Sequence, residues 1–105
     1  MKKKIDLAKK LVDIRGKEML MSPEDPTPIT VGKVLGLMID ADKGKKINAL
    51  KKWSLAIECY DKKEAVFDEA DVATIKEIVE AQEMFSTASV PAQVLKALED
   101  AVNVD

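Results

Sequence analysis

Ala65-Val66-Phe67-Asp68-Glu69-Ala70-Asp71-Val72-Ala73-Thr74-Ile75 is the stretch on which the reading of this chain turns. Its first three residues form a short β-like run, and Asp68 then offers the small side chain that accepts from the free amides of a helix start. Asp71 follows three residues later, where a carboxylate can reach back, and Phe67 faces Val72 across the boundary as a hydrophobic staple. A strand is thus expected to pass directly into a helix. Val72, Ile75, Ile78, Val79 and Gln82 mark the apolar face of that helix. Glu69, Asp71, Glu77, Glu80 and Glu83 make the rest acidic, the first two well placed against the positive N-terminal end.

Beyond this helix, Ser86-Thr87-Ala88-Ser89 reads as a loop, and Ser89 with Pro91 opens a last helix carrying Val94, Leu95, Leu98, Ala101 and Val102. Upstream, Ile47, Leu50, Trp53, Ile57 and Tyr60 recur at helical spacing, with Ala49, Ala56 and Cys59 widening the apolar side. This is expected to be the most buried helix, with Trp53 and Tyr60 packed in the core rather than displayed as interface anchors. Further upstream, Thr30 caps a helix whose stripe is Val31, Val34, Leu35, Met38 and Ile39, ending near Asp40–Gly44. Gly32 and Gly36 lie one turn apart in it; they either admit a close neighbouring backbone or are simply tolerated at a cost in helix stability.

Three prolines in Ser22-Pro23-Glu24-Asp25-Pro26-Thr27-Pro28 remove backbone donors, so residues 22–30 read as an exposed, stiff connection. Before it, Val12-Asp13-Ile14 and Met19-Leu20-Met21 flank Arg15-Gly16-Lys17, the pattern of a β-hairpin turning on a glycine. The expected fold is α+β: a small N-terminal β-hairpin, with a third short strand near Ala65–Phe67 beside it, packed on about four amphipathic helices in one domain spanning 1–105.

Composition narrows the function classes. The chain has 105 residues, 47% hydrophobic and 34% charged, with only four aromatic residues, so its core must be aliphatic. It contains no histidine and one cysteine, Cys59, set in an apolar run with no catalytic partner near it. That argues against zinc centres, histidine-dependent acid–base chemistry and the common nucleophile–base pairs. Asp40 and Asp42 resemble the opening of a calcium loop, but the fifth position is Gly44 and the twelfth Lys51, where oxygen ligands are required. Phosphate-cradle, dinucleotide, nucleophile-elbow and Cys-x-x-Cys spacings are missing too. The chain is expected to be no enzyme and to need no cofactor. Without a disulfide pair, an apolar segment of membrane-spanning length or a secretory signal after Lys2-Lys3-Lys4, it is expected in a reducing cytoplasm.

Charge is polarised. Residues 1–52 hold 13 basic against 7 acidic side chains, a net +6, and residues 53–105 hold 4 against 12, a net −8. Either the two halves attract each other within the fold, or they steer a polarised partner, including another copy of the chain. Candidate partner-binding residues are therefore the acidic Glu69, Glu77, Glu80 and Glu83 and the basic Lys45, Lys46, Lys51 and Lys52. The Lys43–Lys52 cluster also raises nucleic acid as a target, against which stand the acidic pI of about 5.2 and the near absence of arginine.

Leu11-Val12-Asp13-Ile14-Arg15-Gly16-Lys17, Pro28-Ile29-Thr30-Val31-Gly32-Lys33-Val34-Leu35, Trp53-Ser54-Leu55-Ala56-Ile57-Glu58-Cys59-Tyr60, Val66-Phe67-Asp68 and Ala73-Thr74-Ile75-Lys76-Glu77 follow one another in an order that resembles a group of short proteins of tailed bacteriophages and prophages. The resemblance implies a phage or prophage origin and a host cytoplasm, and it carries over no catalytic or binding residue. Taken with the composition, it leads to an expected non-catalytic accessory protein that binds other proteins in head or tail assembly. The alternatives are an inhibitor of a host or defence protein acting through the acidic helix, and a nucleic-acid binder acting through the lysines.

Overall fold

The computed structural model describes residues 1–22 and 24–104; Pro23 of the proline-rich stretch lies outside the described residues. The fold is α+β, with a small sheet region packed on four helices. In chain order the elements are β1 (Lys2–Asp6), β2 (Leu20–Ser22), β3 (Asp25–Pro28), α1 (Val31–Ala41), α2 (Ala49–Asp61), β4 (Glu64–Asp68), α3 (Glu69–Ala81), α4 (Ser89–Glu99) and β5 (Val102–Val104). The main sheet is three-stranded and antiparallel in the order β4-β1-β5. Ile5 from its central strand and Leu7 just beyond it, with Ala65 and Phe67 from β4, meet the apolar faces of α1, α2, α3 and α4 in one mainly aliphatic core.

The strand at Ala65–Phe67 forms as expected, but its partner is β1, with Lys3 opposite Phe67 and Ile5 opposite Ala65, rather than the N-terminal hairpin. The expected hairpin at 12–21 is reduced to a single bridge between Val12 and Glu18 around a tight turn. Asp13 organises that turn: its carboxylate accepts from the amides of Lys17 (3.0 Å) and Arg15 (2.8 Å). The Lys17 amide is the main reason its carboxyl is held below the usual carboxylate range. Gly16 there takes φ +82°, a backbone conformation that costs other residues about 1–2 kcal/mol. Ile14 falls in the turn and is exposed, so the alternation read around Asp13 does not correspond to a half-buried strand.

The proline-rich stretch is more ordered than a connection. Asp25–Pro28 pairs antiparallel with Leu20–Ser22, and the ladder tolerates Pro26 and Pro28 because, among the described residues, the pair has no third strand to serve. A second correction concerns the chain after Glu99. Helix α4 stops there, and Val102, expected on its apolar face, instead enters β5 and pairs with Lys4.

Helix starts follow the expected capping chemistry. The Thr30 hydroxyl accepts from the Lys33 amide at 3.3 Å, and the Asp68 carboxylate from the Asp71 amide at 2.8 Å. Asp71 does not reach back to complete a capping box; its carboxylate pairs with Lys51 at 2.9 Å, tying α3 to α2. Asn48 caps α2 by accepting from the Lys51 amide at 2.8 Å.

Gly32 and Gly36 settle the question left open by their spacing. A Cβ at Gly36 would lie 2.8 Å from the Ala56 carbonyl oxygen and 3.0 Å from Tyr60 Cβ, and one at Gly32 would run into the Cys59 carbonyl oxygen. The two glycines let the backbone of α1 lie directly against α2.

Candidate functional site

The close α1–α2 contact determines which side of α2 is covered. Leu55, Ala56 and Cys59 turn inward and are buried. The stripe that looked like core points the other way: Leu50 is 72% exposed, Trp53 58%, Ile57 43% and Tyr60 40%, and Leu37 of α1 joins them at 37%. The expectation that α2 is the most buried helix, with Trp53 and Tyr60 in the core, is therefore corrected. The helix is apolar on two sides, and α1 with the core can occupy only one of them.

The exposed stripe is continuous. Trp53, Ile57 and Tyr60 border a shallow groove of about 220 Å³ whose far wall is Gly36, Leu37 and Asp40 of α1. Asp40 and Asp61 are exposed at its margins. The groove thus combines large aromatic bodies carrying polar tips with the two carboxylates of Asp40 and Asp61.

Of the charged residues singled out from the sequence, Lys46, Lys51, Lys52 and Glu77 are paired within the fold, and Lys46 and Glu77 pair with each other. Lys46 forms an ion pair with Glu77 and Lys51 with Asp71, so the start of α2 is held against the acidic side of α3. The Asp71 carboxylate, chiefly by accepting a hydrogen bond, raises the Lys51 pKa. Lys52 faces into the fold, its side chain 13% exposed; its ammonium reaches Asp42 Oδ2 at 3.0 Å, the Asp42 carbonyl at 2.9 Å and the Gly44 carbonyl at 2.5 Å, and so fixes the loop after α1. Lys4–Glu64 is a third contact between the basic and acidic halves. Among the described residues, Lys43, Lys45, Glu69, Glu80 and Glu83 meet no opposite charge within ion-pair distance.

A larger open cavity of about 570 Å³ lies between the ends of α1 and α3, lined by Met38, Asp42, Ile78, Gln82 and Met84 among others. Lys43 and Glu83 also line it, and among the described residues no buried side-chain nitrogen or oxygen lacks a hydrogen-bond partner. Also among them, no cluster of three carboxylate or thiol ligands is placed to hold a metal, and no helix is long and apolar enough to cross a membrane. Cys59 is fully buried and burial pushes its thiol up to about 12, with the neighbouring Glu58 charge adding to the effect. That protonated thiol is a packing group, not a nucleophile.

Two residues that organise the structure carried no signal in the sequence. The side-chain amide of Gln93 accepts from the Val12 N–H at 2.9 Å and donates to the Val12 carbonyl at 2.7 Å, standing in for a neighbouring strand. Gln82 does the same for Phe85, at 2.8 and 3.1 Å. An isolated glutamine in a helical stripe has no local mark of such a role.

The chain matches no protein-family model, no curated protein and no solved structure. The phage, prophage and viral assignment drawn from the order of its segments is corrected on that finding and is withdrawn.

Proposed function

We propose that this chain is a non-catalytic protein-binding module whose contact surface is the apolar stripe on α2 with Leu37 of α1, acting in a reducing compartment such as the cytoplasm. The single observation that carries this reading is the exposure of Trp53 and Tyr60 together on one helix face with Leu50 and Ile57. Apolar surface of this kind gains about 25 cal/mol per Å² when covered, and a partner that covers it recovers that free energy against the entropy of association. Neutralisation of Lys46, Lys51 and Lys52 within the fold supports an apolar rather than a charge-driven contact.

The test is recovery of bound proteins from cells that make the chain, comparing the natural sequence with two double variants. Trp53→Glu with Ile57→Lys is expected to abolish recovery, while Glu80→Lys with Glu83→Lys leaves it intact; both should keep the natural far-UV circular dichroism. Loss with the acidic-face variant alone would favour an inhibitor acting through α3 and overturn the proposal.

A further inference from the structure

Resting on the reading of the α2 stripe as a contact surface, we infer that the occupant of that surface is a second copy of this chain, its α2 lying antiparallel to the first. Leu50, Trp53, Ile57 and Tyr60 are separated by three, four and three residues. That is the alternation of apolar positions in a two-helix seam, and it reads the same in both directions. A two-fold axis level with Leu55 therefore places Trp53 of each copy against Ile57 of the other and Leu50 against Tyr60. Large side chains meet medium ones at every step. A parallel arrangement would instead set each side chain on its own duplicate, Trp53 on Trp53 and Tyr60 on Tyr60.

One pair of end charges suits the same orientation. Asp61 is exposed at the end of α2 and Lys45 is exposed just before its start, and neither has an opposite charge within ion-pair distance among the described residues. Antiparallel pairing brings Asp61 of one copy toward the end where Lys45 of the other enters the helix; parallel pairing sets like charges side by side. The area is also adequate. With roughly 150–250 Å² for a whole aromatic side chain, the exposed fractions leave on the order of 500 Å² of apolar stripe on each copy. Pairing then covers on the order of 1,000 Å² before any rim is counted, the lower bound of a specific interface. The interface is isologous and closes at two copies, because the seam is used up once paired.

Sedimentation velocity of the purified chain over a wide concentration range tests this, alongside the emission of Trp53, the only tryptophan. The expected result is a monomer–dimer equilibrium in which the emission shifts to the blue as dimer forms. Trp53→Glu is expected to weaken association roughly thirty-fold or more with the same circular dichroism. Orientation is read by cross-linking. Ser54→Cys, near the axis, is expected to form a disulfide-linked dimer under mild oxidation, and Asp61→Cys, far from it, is not; buried Cys59 takes no part. Efficient cross-linking through Asp61→Cys would overturn the antiparallel arrangement. A monomer mass at all concentrations with solvated Trp53 emission would overturn self-pairing altogether. If Trp53→Glu then still abolishes recovery of a different protein, the contact surface stands and only its occupant is wrong; if it abolishes nothing, both readings fall.

Discussion

Gly36 shows how one missing methyl group sets the display of a whole helix face. An alanine there gains about 1 kcal/mol of helix propensity, but its Cβ meets a backbone carbonyl oxygen at 2.8 Å, an atom no rotamer change can move aside. Overpacking of this kind costs about 1–3 kcal/mol. Gly36→Ala is therefore expected to lower the unfolding free energy by about 1 kcal/mol, read from the urea midpoint at unchanged slope. The same substitution pushes on Tyr60 Cβ, 3.0 Å away, so it should also disturb the exposed stripe. A midpoint equal to or above the natural one would mean that the two helices part without penalty.

Among the elements, the start of the segment between β1 and α1, around Val12, is tied to α4 through Gln93. Its backbone is stitched by single bonds, Leu11 N–H to the Ile29 carbonyl, Met19 N–H to the Leu11 carbonyl and Ile29 N–H to the Met19 carbonyl, each within 2.8–3.0 Å. Gln93 closes the remaining side by pairing with both polar groups of Val12. Gln93→Leu keeps the side-chain bulk and removes both bonds, leaving part-buried backbone groups unpaired at a cost of about 1–3 kcal/mol. Amide hydrogen exchange at Val12 is expected to accelerate while the amides of α1 keep their protection. Unchanged exchange at Val12 would show that the glutamine contributes nothing to holding the segment.

For the molecule as a unit, the buried thiol gives stability a pH dependence. Burial raises the Cys59 pKa from an ordinary 9.0 to about 12. Between those values the folded chain holds a proton that the unfolded chain has released. The thiol's contribution is thus complete below about pH 9 and is lost as pH rises toward 12, at roughly 1.4 kcal/mol per pH unit from this group. Cys59→Ala is expected to flatten that alkaline decline in unfolding free energy, whatever it does to stability at pH 7. Parallel alkaline slopes in the two proteins would remove the thiol as the cause. At the acidic and neutral side, the polarised halves meet through Lys4–Glu64, Lys46–Glu77 and Lys51–Asp71, so part of the charge asymmetry visible in the sequence is answered inside the fold.

What the amino-acid sequence determined by itself is the presence of the helices and the starts of α1, α3 and α4: Thr30, Asp68 and the Ser89–Pro91 opening fall where those helices begin, while the Asn48 cap of α2 emerges only in the fold. Capping and periodicity act within a few residues, so they are legible without the rest of the chain. Strand partners are not. Lys2-Lys3-Lys4-Ile5-Asp6 looks like a solvated charge run, yet it becomes the central strand, because its hydrogen bonds come from β4 and β5, more than half a chain and nearly a whole chain away. The same distance explains why Val102 leaves the helical stripe to pair with Lys4. The candidate surface belongs to this second kind. Periodicity marked Leu50, Trp53, Ile57 and Tyr60 as apolar and aligned, but which side of α2 faces the core was decided by the glycine-lined approach of α1, a contact between segments that only the folded chain brings together.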